Sequence, residues 1–177
     1  MTDTIKDVQQ RFEEQLRYVD EAALVVLKGH LLIEEMLDSI ISTFVFHGEF
    51  IEKANLGFWQ KVAIARSMSL DEHQNEMWDI ALKLNALRND LAHALDSPAR
   101  AKKTQAVVDS YFQLAHDMPD IEKQKGVDDH IALMFAVGFF LGFLSTFQDE
   151  VQRFRGVVDG LDSVLNPHHH DPLGEGA

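Results

Sequence analysis

The 177-residue chain contains no cysteine, which excludes disulfides and thiolate metal centres and leaves no trace of the redox state of its compartment. Prolines number four: Pro98 and Pro119 fall between stretches of helical periodicity, and Pro167 and Pro172 fall after the last one. Cations are also few: 16 Lys and Arg against 29 Asp and Glu give a net charge of −13. That balance argues against broad attachment to nucleic acid through phosphate neutralisation, and no DNA partner is expected. No segment alternates apolar and polar residues, or gathers Val, Ile, Thr and Tyr between turn signals, so strands are not expected. The opening residues Met1 to Asp7 lack a basic stretch followed by an apolar core, so no secretory signal is expected and a cytoplasmic location follows by default.

What is present is helical periodicity and enough apolar residues, 46% of the chain, to bury one core. One domain is expected over residues 1–165, followed by a flexible tail over 166–177 that carries His168, His169 and His170. A first helical region is predicted from about Thr4 to Phe46, with a break near Tyr18, ending before His47. A short helix, Phe58 to Met68, follows the turn Asn55-Leu56-Gly57. Ser69 and Glu72 have the spacing of a capping box that starts a third helix. Asp96-Ser97-Pro98 ends that helix and opens a fourth, which runs to about His116. The last helix is predicted from Asp128 to about Val158. The expected fold is all-α, a single up-down bundle of about five helices.

The last helix holds the most apolar segment, Ile131 to Phe147. Its 17 residues fall short of the roughly 20 that a bilayer core needs, and no positive cluster adjoins it, so a buried helix is expected and no membrane partner. Gly138 and Gly142, four apart, admit close approach of another backbone, in a bundle centre or a dimer seam.

On a wheel of about 100° per residue the third helix has three faces rather than the two a soluble monomer needs. Met77, Ile80, Leu84, Leu87, Leu91 and Leu95 form a core stripe, and Asp79, Lys83 and Asp90 gather on a face read as solvent. The third face carries Asn85, Arg88, Asn89 and His93 with Trp78, Ala81, Leu82 and Ala92, a mixture that suits a pocket wall or a subunit interface. Between Ala81 and Thr104 the five cations Lys83, Arg88, Arg100, Lys102 and Lys103 face only Asp90 and Asp96. This basic island is a candidate phosphate-binding surface in an otherwise acidic chain.

The run Leu84-Asn85-Ala86-Leu87-Arg88-Asn89-Asp90-Leu91-Ala92-His93 resembles the Arg-x4-6-His signature of the HEPN superfamily, and the resemblance extends over about Tyr18 to His116. It implies a two-fold homodimer with paired motifs along a shared cleft, and RNA cleavage without metal or other cofactor. In that reading His93 is the general base or acid, Arg88 holds the phosphate, and Asn89 orients one or the other. Arg88 and His93 diverge by about 140° on one helix, so two copies are needed to aim both at one point. Spacing alone also allows Arg88 and Asn89 to tie helices together while His93 sits at the helix C-terminus. Many toxin members carry Tyr two residues after the histidine; Leu95 stands there, so regulation through modification of that residue is not expected.

In the first helix Glu21, Lys28, Glu35, Ser39 and Ser42 line a solvent stripe, while His30 and Glu34 lie opposite, among Val26, Leu27, Leu37 and Ile41. A carboxylate so placed is costly unless paired, and Arg88 is the expected partner of Glu34, with His30 beside it. Asn85 joins them as a supporting residue. Two ligands are too few for a metal, and none is expected. RNA or a nucleotide is the expected small partner, and an antitoxin or regulatory protein the macromolecular one. The competing reading is a non-catalytic dimeric interaction module in which the motif is structural.

Overall fold

A computed structural model describes residues 10, 20–69, 75–93 and 98–167, with Asn75 and His93 described by their backbone alone. Among the described residues the chain forms six α-helices: α1 (Glu21–Phe44), α2 (Gly48–Lys53), α3 (Phe58–Ser67), α4 (Asn75–His93), α5 (Arg100–Leu114) and α6 (Asp129–Leu165). A 3-10 turn, Ile121–Gln124, precedes α6. The expected break near Tyr18, the capping role of Glu72, Ser97 as an N-cap, Leu95 and the histidine-rich tail lie outside the described residues.

Local chemistry explains most boundaries. Asp20 caps α1 by accepting from the Ala23 N–H at 2.9 Å. Asn55 adopts φ 49°, the left-handed conformation that Asn tolerates, and so makes the turn between α2 and α3. Gly57 N–H then donates to Gln60 Oε1 at the start of α3. Two boundaries differ from expectation. The stretch after His47, where no helix is expected, forms the short helix α2, and α6 continues past Val158 to Leu165. Gly156 and Gly160 weaken helix propensity there, but Arg155 bonded to Asp159 Oδ1 at 2.9 Å, an i,i+4 pair, supports the turn.

The order of contacts gives the topology. Glu21 meets His130 (3.2 Å), Gly29 lies on Val137, Ser39 accepts from Gln148 (2.7 Å) and Phe44 meets Phe154. These contacts advance together along both chains, so α1 and α6 run parallel. Trp78 packs on Phe143 and Phe147 while Asn85 reaches His30, so α4 descends against both. Lys83 bonded to Ser110 and Asp90 bonded to Lys103 make α5 antiparallel to α4. The segment between α5 and α6 then carries the chain back before α6 rises. The expected bundle is thus helical as read but not simply up-down, because α5 and α6 point the same way as α1.

The core is built from Ile33, Leu37 and Ile40 of α1, Trp78, Ile80, Leu84 and Leu87 of α4, Tyr111 of α5, and Leu133, Phe140 and Leu144 of α6. By length and a mean hydropathy of 1.9, α6 is apolar enough to cross a membrane. It was expected to be buried, yet only 39% of its most apolar window is covered. Ala132, Leu133, Ala136, Val137, Phe140 and Leu144 face the bundle, whereas Met134, Gly138 and Gly142 face outward. Among the described residues, no atom beyond the chain neighbours and the helix's own backbone comes within 4 Å of where a Cβ would stand at either glycine.

Candidate functional site at the lower end of the fourth helix

Three helices place the candidate residues. His30 is buried on α1, its ring lying 4.1 Å from that of Phe58 on α3. Its Nε2–H donates to Asn85 Oδ1 on α4 at 3.1 Å, and its Nδ1 lies 3.9 Å from Glu34 Oε2. Burial holds the His30 pKa below its ordinary value, despite the opposing influence of Asn85 and Glu34, and the positive charge of Arg88 adds to the lowering. His30 is therefore a neutral imidazole near pH 7, bonded into the bundle and suited to fixing α1 against α4.

Glu34 does have a cationic partner, but it is Lys61 of α3 rather than Arg88. Lys61 Nζ donates to Glu34 Oε1 at 2.9 Å and to Asp38 Oδ2 at 2.7 Å. Burial opposes the ammonium, but the two carboxylates outweigh it and raise the pKa above the ordinary lysine value. The reason is geometric: α3 crosses α1 at Phe58 and Lys61, which brings the lysine ammonium onto both carboxylates. Lys61 was missed although a signal existed. It stands three residues from Phe58 and four from Ala65, both buried, which sets it at the edge of the apolar face of α3.

The basic island is largely consumed by ties between elements. Lys83 donates to Ser110, Lys103 donates to Asp90 at 2.8 Å, and the Arg100 guanidinium grips both carboxylate oxygens of Asp20. That grip, ahead of the opposing effect of burial, lowers the Asp20 pKa, and the Ala23 N–H lowers it further. Lys102 is exposed. The sequence count left Arg100 in surplus because it could not include Asp20, eighty residues away in the chain. The face read as solvent is likewise half covered: Asp79 is exposed, but Lys83 and Asp90 meet α5. On the third face Trp78 and Ala81 are fully buried against the bundle rather than open to a second subunit, and Asn85 turns inward to His30.

Arg88 and Asn89 differ from these. Arg88 is partly exposed and donates to Asn89 Oδ1 at 3.2 Å; Asn89 is exposed. Among the described residues no carboxylate bonds Arg88, so its planar fork keeps donors for a phosphate. His93 is the last described residue of α4, four residues beyond Asn89, and its side chain lies outside the described residues. The site thus has an inward layer, Asn85, His30, Glu34 and Lys61, and an outward pair, Arg88 and Asn89. Among the described residues no group of three or more His, Cys, Asp or Glu is arranged to hold a metal ion. Comparison with protein-family models, curated proteins and solved structures gives no match.

Proposed function

We propose that this chain is a HEPN-like, metal-independent endoribonuclease that works as a two-fold dimer. The observation that carries the reading is Arg88. Among the described residues it is a cation with open donors beside an exposed amide, while Lys83, Arg100 and Lys103 are engaged within the fold. Arg88 takes the scissile phosphate and offsets the charge that builds on its oxygens in the transition state. His93 removes the proton from the ribose 2′-hydroxyl, or returns one to the departing 5′-oxygen, because an imidazole titrates near neutral pH. The 2′-oxygen forms a bond to phosphorus as the bond to the 5′-oxygen breaks, leaving a 2′,3′-cyclic phosphate and a 5′-hydroxyl. Asn89 orients the phosphate or His93. Asn85 and His30 hold α1 and α4 in register beneath the pair, and Glu34 with Lys61 holds α3 against α1. The acidic remainder of the surface limits the enzyme to short or unpaired RNA, and a basic antitoxin or regulator fits that surface.

The test is cleavage of a mixed RNA in EDTA by the wild type, Arg88→Ala and His93→Ala, with the product ends identified. Cyclic phosphate ends that disappear in both variants support the reading; equal cleavage by His93→Ala defeats it. One set of contacts favours the second reading, a dimeric interaction module without catalysis: the inward turn of Asn85 and the ion pairs of Arg100 and Lys103 use the motif region to fasten helices. No cleavage by a folded wild-type dimer selects that module.

A further inference from the structure

Phe46, Phe50 and Phe154 are exposed at the far end of α1, and each already meets another ring or a cation. Trp59 differs from them. It is 64% exposed, and among the described residues no ring or cation stacks on its indole. A single apolar side chain on a surface is ordinary; the position of this one is not. The helix α3 packs on both α1 and α4, with Phe58, Val62 and Ala65 as its buried face. Lys61 leaves that face on the α1 side, where it meets Glu34 and Asp38. Trp59 lies about 160° around the helix from Lys61, which puts it on the α4 side.

Its level along α4 is fixed by its neighbour. The Phe58 ring stacks on His30, and His30 bonds Asn85. On α4, Asn85 faces α1 whereas Lys83 and Asp90 face α5. Asn89, one turn past Asn85 and about 40° around from it, therefore stands on the outer flank next to α3. Its Oδ1 accepts from Arg88, whose charge is felt at the His30 ring on which Phe58 lies. Indole, amide and guanidinium thus border one stretch of surface.

We propose that Trp59 is the base-stacking platform of this surface, its indole taking the face of an unpaired base on a nucleotide next to the phosphate held by Arg88. The assignment rests on the ribonuclease reading of Arg88 and adds a substrate class to it: RNA that is single-stranded where it is cut. Every base has a π-face, so the contact binds without selecting sequence, and a base stacked within a duplex has no face to offer. Stacking also supplies affinity that needs no cation, which suits a chain of net charge −13.

The chain has two tryptophans and Trp78 is fully buried, so quenching of fluorescence by RNA reports on Trp59. The probe is a short single-stranded RNA with 2′-O-methyl riboses, which removes the nucleophile, beside the same oligomer stripped of its bases. The RNA should quench the wild type. Trp59→Phe, which keeps an aromatic face, should bind within about threefold but without that quenching, and Trp59→Ala should bind about tenfold more weakly. On cleavable RNA, Trp59→Ala should raise KM by a similar factor with kcat unchanged, and it should bind the base-free oligomer as the wild type does. Its melting temperature and sedimentation should also match the wild type. Undiminished RNA affinity in Trp59→Ala, or an equal loss on the base-free oligomer, overturns the proposal. So does a dimer broken by the substitution, which would make Trp59 a subunit contact. The reading of Arg88 fails separately: RNA that quenches Trp59 but is never cut defeats the ribonuclease and keeps the platform, whereas a wild type that binds no RNA defeats both.

Discussion

Burial sets the protonation of His30, and its consequence is a pH dependence of stability. The folded state holds its pKa below the ordinary 6.5. Above pH 6.5 the imidazole is neutral in both states and contributes no slope. As pH falls through 6.5 toward the lowered folded value, the unfolded chain takes up a proton that the folded chain resists, so stability declines. Thermal melts between pH 7.5 and 5 should show this loss in the wild type and a shallower one in His30→Gln; parallel curves would assign the slope to other groups. Gly29 poses a steric question on the same helix. A Cβ there would stand 2.8 Å from both γ-methyls of Val137, and a β-branched side chain has few rotamers to yield. Alanine ordinarily strengthens a helix, yet Gly29→Ala should cost about 1–3 kcal/mol, readable by chemical denaturation, and Val137→Ala should recover part of it. At this scale the sequence was informative about kind rather than partner. It marked Glu34 as a carboxylate that must be paired and His30 as its neighbour, but chose Arg88 over Lys61 because a wheel of one helix carries no information about which second helix crosses it.

The helices themselves were legible in the sequence, because apolar residues recur at helical spacing in each and the breaks fall at Asn55, Gly57 and Pro119. Their ends and faces were less so. The short α2 lacks a buried residue, hence any periodic signal, and α6 overruns its predicted end because apolar residues continue at helical spacing to Leu165. That helix has two characters around its circumference, and substitutions should separate them. Phe140 is fully buried against Trp78, so Phe140→Ala should cost about 3–5 kcal/mol in a denaturant titration. Met134, 56% exposed, should accept Gln within about 0.5 kcal/mol. Equal effects would mean that the outward face is covered by another molecule. The third face of α4 resolves in the same way: Trp78 and Ala81 fill the bundle, which has helices on more than one side of α4, so an aromatic and small-residue face needed no second subunit.

For the whole molecule, the arrangement of charge sets how RNA binding should depend on salt if the proposed function holds. Had all five island cations faced solvent, binding would release counterions with a slope of log affinity against log salt of about −3.5 per subunit; Arg88 and Lys102 alone give about −1.4. Binding of a labelled single-stranded RNA at increasing salt should show the shallow slope, and a steep one would mean that Lys83, Arg100 and Lys103 leave their partners to meet phosphate. Composition and periodicity by themselves determined that the chain is all-helical, where its longest helices lie, that no disulfide staples it, and that Arg88 and Asn89 share one face, since these properties depend on residue types and on neighbours three or four positions away. Only the tertiary structure decided that α1 and α6 run parallel, that Lys61 rather than Arg88 answers Glu34, that Asp20 captures Arg100, and that α6 outruns the bundle. Each of those depends on contacts between residues far apart in sequence, whose formation is fixed by how the apolar faces pack and not by any local pattern.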